Sequence, residues 1–143
     1  MKSRYDKTGY MKRFIASCVV LVTLFILGSC SGPKKSVEEK NVLMALSSIQ
    51  QSLENNVSYE HFIELLDQAK IEVDILKSKR ENSPCFMGAV DKCYAFYSTG
   101  KKAWQQKLIA TDEARKQDMD LTLSVLQSRA ALSIQMADNC FKN

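Results

Sequence analysis

Three observations predict an all-α fold, a small antiparallel up-down-up-down four-helix bundle. Four segments repeat apolar residues at spacings of three and four, and each is preceded by a helix-start signal. No segment alternates apolar and polar residues, and no Asn-Gly or Asp-Gly hairpin turn is present, so a sheet is not expected. Connections of about two to five residues leave successive helices antiparallel.

The first helix is expected over residues 37–54, opened by Ser36 and Glu39, a Ser-x-x-Glu capping box in which hydroxyl and carboxylate satisfy two orphan backbone amides. Val42, Leu46, Ile49 and Leu53 share one face, and Asn55-Asn56 ends the pattern. Ser58 caps the second helix, over about residues 59–80, with Val57 and Phe62 spaced as a hydrophobic staple. Its stripe is Tyr59, Phe62, Leu66, Ala69, Val73 and Leu76, widened by Ile63, Leu65, Ile71 and Ile75, a breadth that calls for more than one neighbour. Lys77-Ser78-Lys79-Arg80 places cations where a helix C-terminus favours them.

Ser83-Pro84 opens the third helix, with proline at a position whose missing amide costs nothing. Phe86, Val90, Cys93, Tyr97, Gly100, Trp104 and Leu108 form its stripe, and Gly100 there would admit a close neighbour. Ser98-Thr99-Gly100 is an alternative break that would split the helix in two. Thr111-Asp112-Glu113 reads as a cap with first-turn acids for a fourth helix to about Cys140, built on Met119, Leu123, Leu126, Ala130, Ser133, Ala137 and Cys140. A second row of Leu121, Val125 and Leu132 lies beside that stripe.

Ahead of the bundle the composition changes. The chain of 143 residues carries 20 basic and 16 acidic side chains, and its surplus sits in residues 1–29, where Lys2, Arg4, Lys7, Lys12 and Arg13 face Asp6 alone. The remainder is formally neutral, so charge gives no basis for a nucleic-acid partner. Phe14 to Leu27 is an uncharged apolar run of 14 residues. Helical, it would span about 21 Å, short of the roughly 30 Å hydrocarbon core, which fits a signal-peptide core better than a permanent span.

Directly after the run, Leu27-Gly28-Ser29-Cys30 resembles the lipobox of bacterial lipoprotein precursors: an apolar residue, two small residues and the cysteine that becomes the new N-terminus. The resemblance covers residues 1 to about 30. It implies a cleaved leader over residues 1–29, a diacylglycerol thioether on Cys30, and a lipid bilayer as the first partner. Two or three acyl chains make residence stable where one does not. Ser31 follows the cysteine in place of the aspartate that commonly retains such proteins at the inner membrane, so the periplasmic face of an outer membrane is the expected location. Residues 30–35 then form the lipidated cysteine and a tether, its five residues after Cys30 reaching at most about 18 Å. Lys34 and Lys35 are there either solvated or against anionic headgroups. Residues 36–143 form the bundle domain, long enough to bury one core.

Export places Cys85, Cys93 and Cys140 in an oxidising compartment. If the third and fourth helices turn near residues 109–112, Cys85 faces the region of 134–140, whereas Cys93 and Cys140 are about 18 Å out of register and Cys85 and Cys93 about 12 Å apart. Cys85 to Cys140 is the preferred bridge, with Cys93 a buried thiol; three reduced cysteines are the alternative.

Catalytic signatures are scarce. His61 is the single histidine, and neither a Gly-x-Ser-x-Gly nor a glycine-rich phosphate loop occurs. Glu60 and Glu64 near His61 make an incomplete metal set, Met44, Met87, Met119 and Met136 read as packing residues, and no cofactor or metal is expected. Tyr94, Phe96, Tyr97 and Trp104 spread round about 200 degrees of the third helix, more than one core face uses, which marks Tyr94 and Phe96 as candidate partner contacts. The sequence thus points to a non-enzymatic, membrane-anchored interaction module that binds another envelope protein. The alternative is a periplasmic carrier or sensor of a small apolar ligand held between the second and third helices.

Overall fold

The structure, a computed structural model, describes residues 34–79 and 83–142. The leader, the lipobox and Cys30 lie outside the described residues. Within them the chain forms four helices and no strand: α1 (Val37–Glu54), α2 (Tyr59–Ser78), α3 (Pro84–Ile109) and α4 (Glu113–Asn139).

Each helix starts where its capping side chain stands. Ser36 N donates to Glu39 Oε2 at 2.7 Å while Glu39 N donates to Ser36 Oγ at 3.1 Å, closing the capping box. Ser58 accepts from His61 N at 3.3 Å, Ser83 from Phe86 N at 3.5 Å and Asp112 from Ala114 N at 3.3 Å. The end of α1 is a Schellman turn. Val57 N donates to Ser52 O and Asn56 N to Leu53 O, with Asn56 in the left-handed region at φ 55°. α2 ends at Ser78, two residues before the expected limit, with Lys79 already extended. α3 is continuous through Ser98-Thr99-Gly100, so the alternative break is not taken.

Cross-links between helices give the topology. Lys79 of the α2 end pairs with Glu38 at the start of α1, Lys77 pairs with Asp91, and Tyr59 packs on Trp104. Lys107 pairs with Asp120 and Cys85 bonds to Cys140. Every chain neighbour is therefore antiparallel. α1 also meets α4 and, across the centre, α3, whereas the backbones of α2 and α4 do not approach within 8 Å. The cross-section is a flattened rhombus whose short diagonal is α1 to α3. Tyr97 on α3 marks that diagonal, its hydroxyl donating to Gln50 Oε1 at 3.1 Å, with the Leu46 carbonyl at 3.4 Å.

The core follows the predicted stripes closely in three helices. Val42, Leu46 and Ile49 of α1, Phe62, Leu66, Ala69, Val73 and Leu76 of α2, and Phe86, Val90, Cys93 and Tyr97 of α3 are all buried. It departs from them where the helices differ in length. α3 and α4 have 26 and 27 residues against 18 and 20 for α1 and α2. The first turn of α2 reaches only the level of Trp104, which stacks on Phe62 at 5.5 Å. Beyond it the α3–α4 hairpin runs without cover: no residue from Trp104 to Arg129 is buried, and Leu108, expected on the stripe, is 60% exposed. Gly100 does not mark a close approach, since a Cβ added there would meet only Leu123 Cδ2, at 3.8 Å.

Candidate functional site

α4 carries apolar side chains on two faces, and the rhombic packing covers one of them. Ala130, Ser133 and Ala137 are buried against the bundle. Leu121, Val125, Leu132 and Met136 are 69%, 53%, 58% and 52% exposed. At 100° per residue these four fall within about 60° of the helix circumference, a row about 22 Å long with Ser128 on its line. The row is open because α4 has two neighbours, α3 and α1, and no third helix on its outer side. Leu121, Val125 and Leu132, a second row beside the core stripe in sequence, therefore face solvent. From Leu121 to Ala137 the only charged residue is Arg129. A long apolar row with almost no charge departs from the usual surface helix, whose outer face is charged.

Tyr94 and Phe96 are placed differently. Both are half-buried and pack against the core, so neither belongs to the open surface. Phe96 lines a cavity of about 50 Å³ with Leu53, Phe62, Trp104 and Leu126. Tyr59 and Phe62 take up Trp104 by edge and stacked contacts. The aromatic breadth of α3 is used to reach both α1 and α2. What would have singled out the α4 row in sequence is its second apolar period on a helix with few charges.

The base of the bundle is tied shut. Cys85 and Cys140 form a disulfide with α-carbons 6.0 Å apart, the pairing the hairpin register favours. Phe141 packs edge-on against Phe86 at 5.2 Å. Lys35, expected in a free tether, instead pairs with Asp138 and lies over the Phe141 ring at 5.4 Å. Lys142 binds the other Asp138 oxygen at 2.8 Å. These two ammonium groups, Lys142 first, hold the Asp138 carboxyl down at about 2. Beside this clasp an open groove of about 800 Å³ runs between α1 and α4, lined among others by Lys40, Leu43, Met44 and Ile134.

Other candidate groups stay apart. Cys93 is a free, buried thiol, its pKa pushed up to about 12 by burial, which keeps it protonated and unreactive. His61 is exposed, with Glu64 Oε2 at 3.2 Å from its Nδ1. Among the described residues no group of three His, Cys, Asp or Glu side chains is placed to hold a metal, and no helix is long and apolar enough to cross a membrane. Comparison of the chain with family models, curated proteins and solved structures finds no match.

Proposed function

We propose that the mature chain is an envelope lipoprotein, held through acylated Cys30 at the periplasmic face of an outer membrane, whose bundle is a non-enzymatic interaction module that binds through the outer face of α4. The observation that carries this reading is the row of Leu121, Val125, Leu132 and Met136, four large apolar side chains left in water on one helix face. Such surface is unfavourable by about 25 cal/mol per Å² until a partner covers it. Its composition suits an interface, because interface centres are depleted in charge and enriched in Met and Arg. The lipobox of Leu27-Gly28-Ser29-Cys30 and the short tether supply the membrane half of the proposal.

The carrier reading finds less support. In the core, where that reading places the ligand, the cavity lined by Phe62 and Phe96 is about 50 Å³, against roughly 300 to 1,000 Å³ for small-molecule pockets, and the larger groove between α1 and α4 is open to solvent.

Two measurements test the proposal. Palmitate labelling is expected to mark the wild-type chain and to be lost in Cys30→Ala; an unlabelled wild type removes the anchor. Crosslinking in intact membranes, followed by pull-down, is expected to recover a reproducible partner that is lost in Leu132→Glu while circular dichroism stays unchanged. Recovery of the same partner by Leu132→Glu would move the contact elsewhere.

A further inference from the structure

Three features of the α4 row bear on what covers it. Leu121, Val125, Ser128 and Leu132 are spaced four, three and four, the repeat by which one helix seats its side chains between those of another helix of equal pitch. The occupant is then itself a helix. From Leu121 to Met136 the face is also electrically neutral apart from Arg129, and Asp118 continues its line one turn earlier. It offers nothing to select a strongly acidic or basic partner, and it puts almost no like charge together when laid against its own duplicate. Finally, the face is small. A row about 22 Å long on a helix about 10 Å across falls well short of the roughly 800 Å² that each partner of a standard soluble complex buries. Pairing through it needs a high local concentration, and two-dimensional confinement supplies that above all for copies sharing one anchor.

We propose that the row is the interface with a second copy of this chain, the two α4 helices lying parallel and in register. The inference rests on reading the row as the contact face. Two arguments select the parallel arrangement. The start of α1, which leads back to the tether, lies beside the end of α4 through Lys35 and Asp138. Parallel pairing therefore leaves both tethers at the same end, where one membrane can hold both. The spacing of four, seven and four along Leu121, Val125, Leu132 and Met136 reads the same in reverse, so an antiparallel pair also matches apolar residues. That pair, however, brings the two Arg129 side chains together beside its axis. In the parallel pair Arg129 lies at the edge of the row and faces the partner's Ser124, an uncharged acceptor, and the one like-charge approach, between the two Asp118 side chains, falls beyond the row at its exposed end.

The experiment is cysteine crosslinking of the full-length chain in native membranes. Val125→Cys and Leu132→Cys are expressed singly and together, with the wild type as background and Lys70→Cys, on the exposed side of α2, as control. Products are sized without reductant and identified by mass spectrometry. The expected result is a product of twice the chain's mass from each single row variant, several-fold above both background and control. Its yield should fall when the membranes are dissolved and diluted in detergent before oxidation. Cross-linked dimer only when Val125→Cys and Leu132→Cys are expressed together would establish the antiparallel register and overturn the parallel one. A row cysteine captured by a different protein would overturn self-pairing while leaving the contact-face reading intact. No product above control at either position would overturn both.

Discussion

Two tyrosines carry hydroxyls out of water with opposite consequences. Tyr97 spans the short diagonal and donates to Gln50, and its burial, with Cys93 and Glu54 nearby, raises its pKa and keeps it neutral. Tyr59 packs its ring on Trp104, and its hydroxyl is buried with no hydrogen-bond partner. An unsatisfied buried hydroxyl costs about 1 to 3 kcal/mol, whereas a satisfied one contributes about 1 kcal/mol. Tyr97→Phe is therefore expected to lower unfolding stability by about 1 kcal/mol, while Tyr59→Phe is expected to be neutral or to raise it by up to about the same amount. Urea denaturation of the pair checks this, and equal losses for both would show that Tyr59 has a partner. Gly100 gives a second residue-scale test. Helical, and with only Leu123 near an added Cβ, it accepts alanine in ordinary contact. Gly100→Ala should stabilise by up to about 1 kcal/mol through helix propensity, seen as a rise in Tm; a fall would restore the close approach that its stripe position implied in sequence.

At the scale of elements, α3 and α4 depend on the bond that closes their free ends. Cys85 and Cys140 are 55 residues apart, and cross-linking a loop of that length removes unfolded-state entropy. The chain-entropy model sets this at about 4 kcal/mol, an upper value. The paired variant Cys85→Ser with Cys140→Ser should lose stability up to that limit, and the α3–α4 overhang, which buries nothing beyond Ala103, should be the first region to lose hydrogen-exchange protection. Uniform loss across all four helices would mean that the hairpin does not open separately. The starts of the first three helices were legible because Ser36, Ser58 and Ser83 act locally, through atoms three residues away, while at α4 the cap is Asp112, one residue past Thr111. The bridge was legible because an antiparallel hairpin fixes register. The inward row of α4 was legible too, since its buried residues Ala130, Ser133 and Ala137 belong to the expected stripe; that the second row stays in water was not, because helical period shows that two rows exist and only the number of neighbouring helices decides how many are covered. For the same reason Leu108 could not be separated from Trp104: both lie on one stripe, and the stripe loses its cover only because α1 and α2 are shorter. Tyr94 and Phe96 were singled out by angular breadth, a signal that a helix with neighbours on two sides also produces.

For the molecule as a whole, the base of the bundle is where the start of α1, the start of α3 and the end of α4 are joined. Lys35, just ahead of α1, contacts Asp138 and Phe141 at the end of α4, Phe141 packs on Phe86, and the disulfide joins Cys140 to Cys85 of α3. The electrostatic part of this clasp depends on one carboxylate. Asp138 has its pKa lowered from 3.8 to about 2 in the fold, by Lys142 first and Lys35 second. A depressed carboxylate adds stability that is fully present above its unfolded pKa and is lost as pH falls through the folded one. The contribution of Asp138 should thus be constant above about pH 4, decline between 3.8 and about 2, and vanish below that. Asp138 and Lys142 are both solvent-accessible, which limits the contribution to about 1 kcal/mol or less and makes it fall with added salt. Chemical denaturation of the wild type and Asp138→Asn across that range measures it. The two curves should converge in acid and approach one another at high ionic strength, and a difference that persists at the lowest pH would show that Asp138 acts through packing rather than charge. Because the disulfide and the contact of Phe141 with Phe86 do not titrate, protonating Asp138 at about pH 2 and below should release Lys35 while α3 and α4 remain joined.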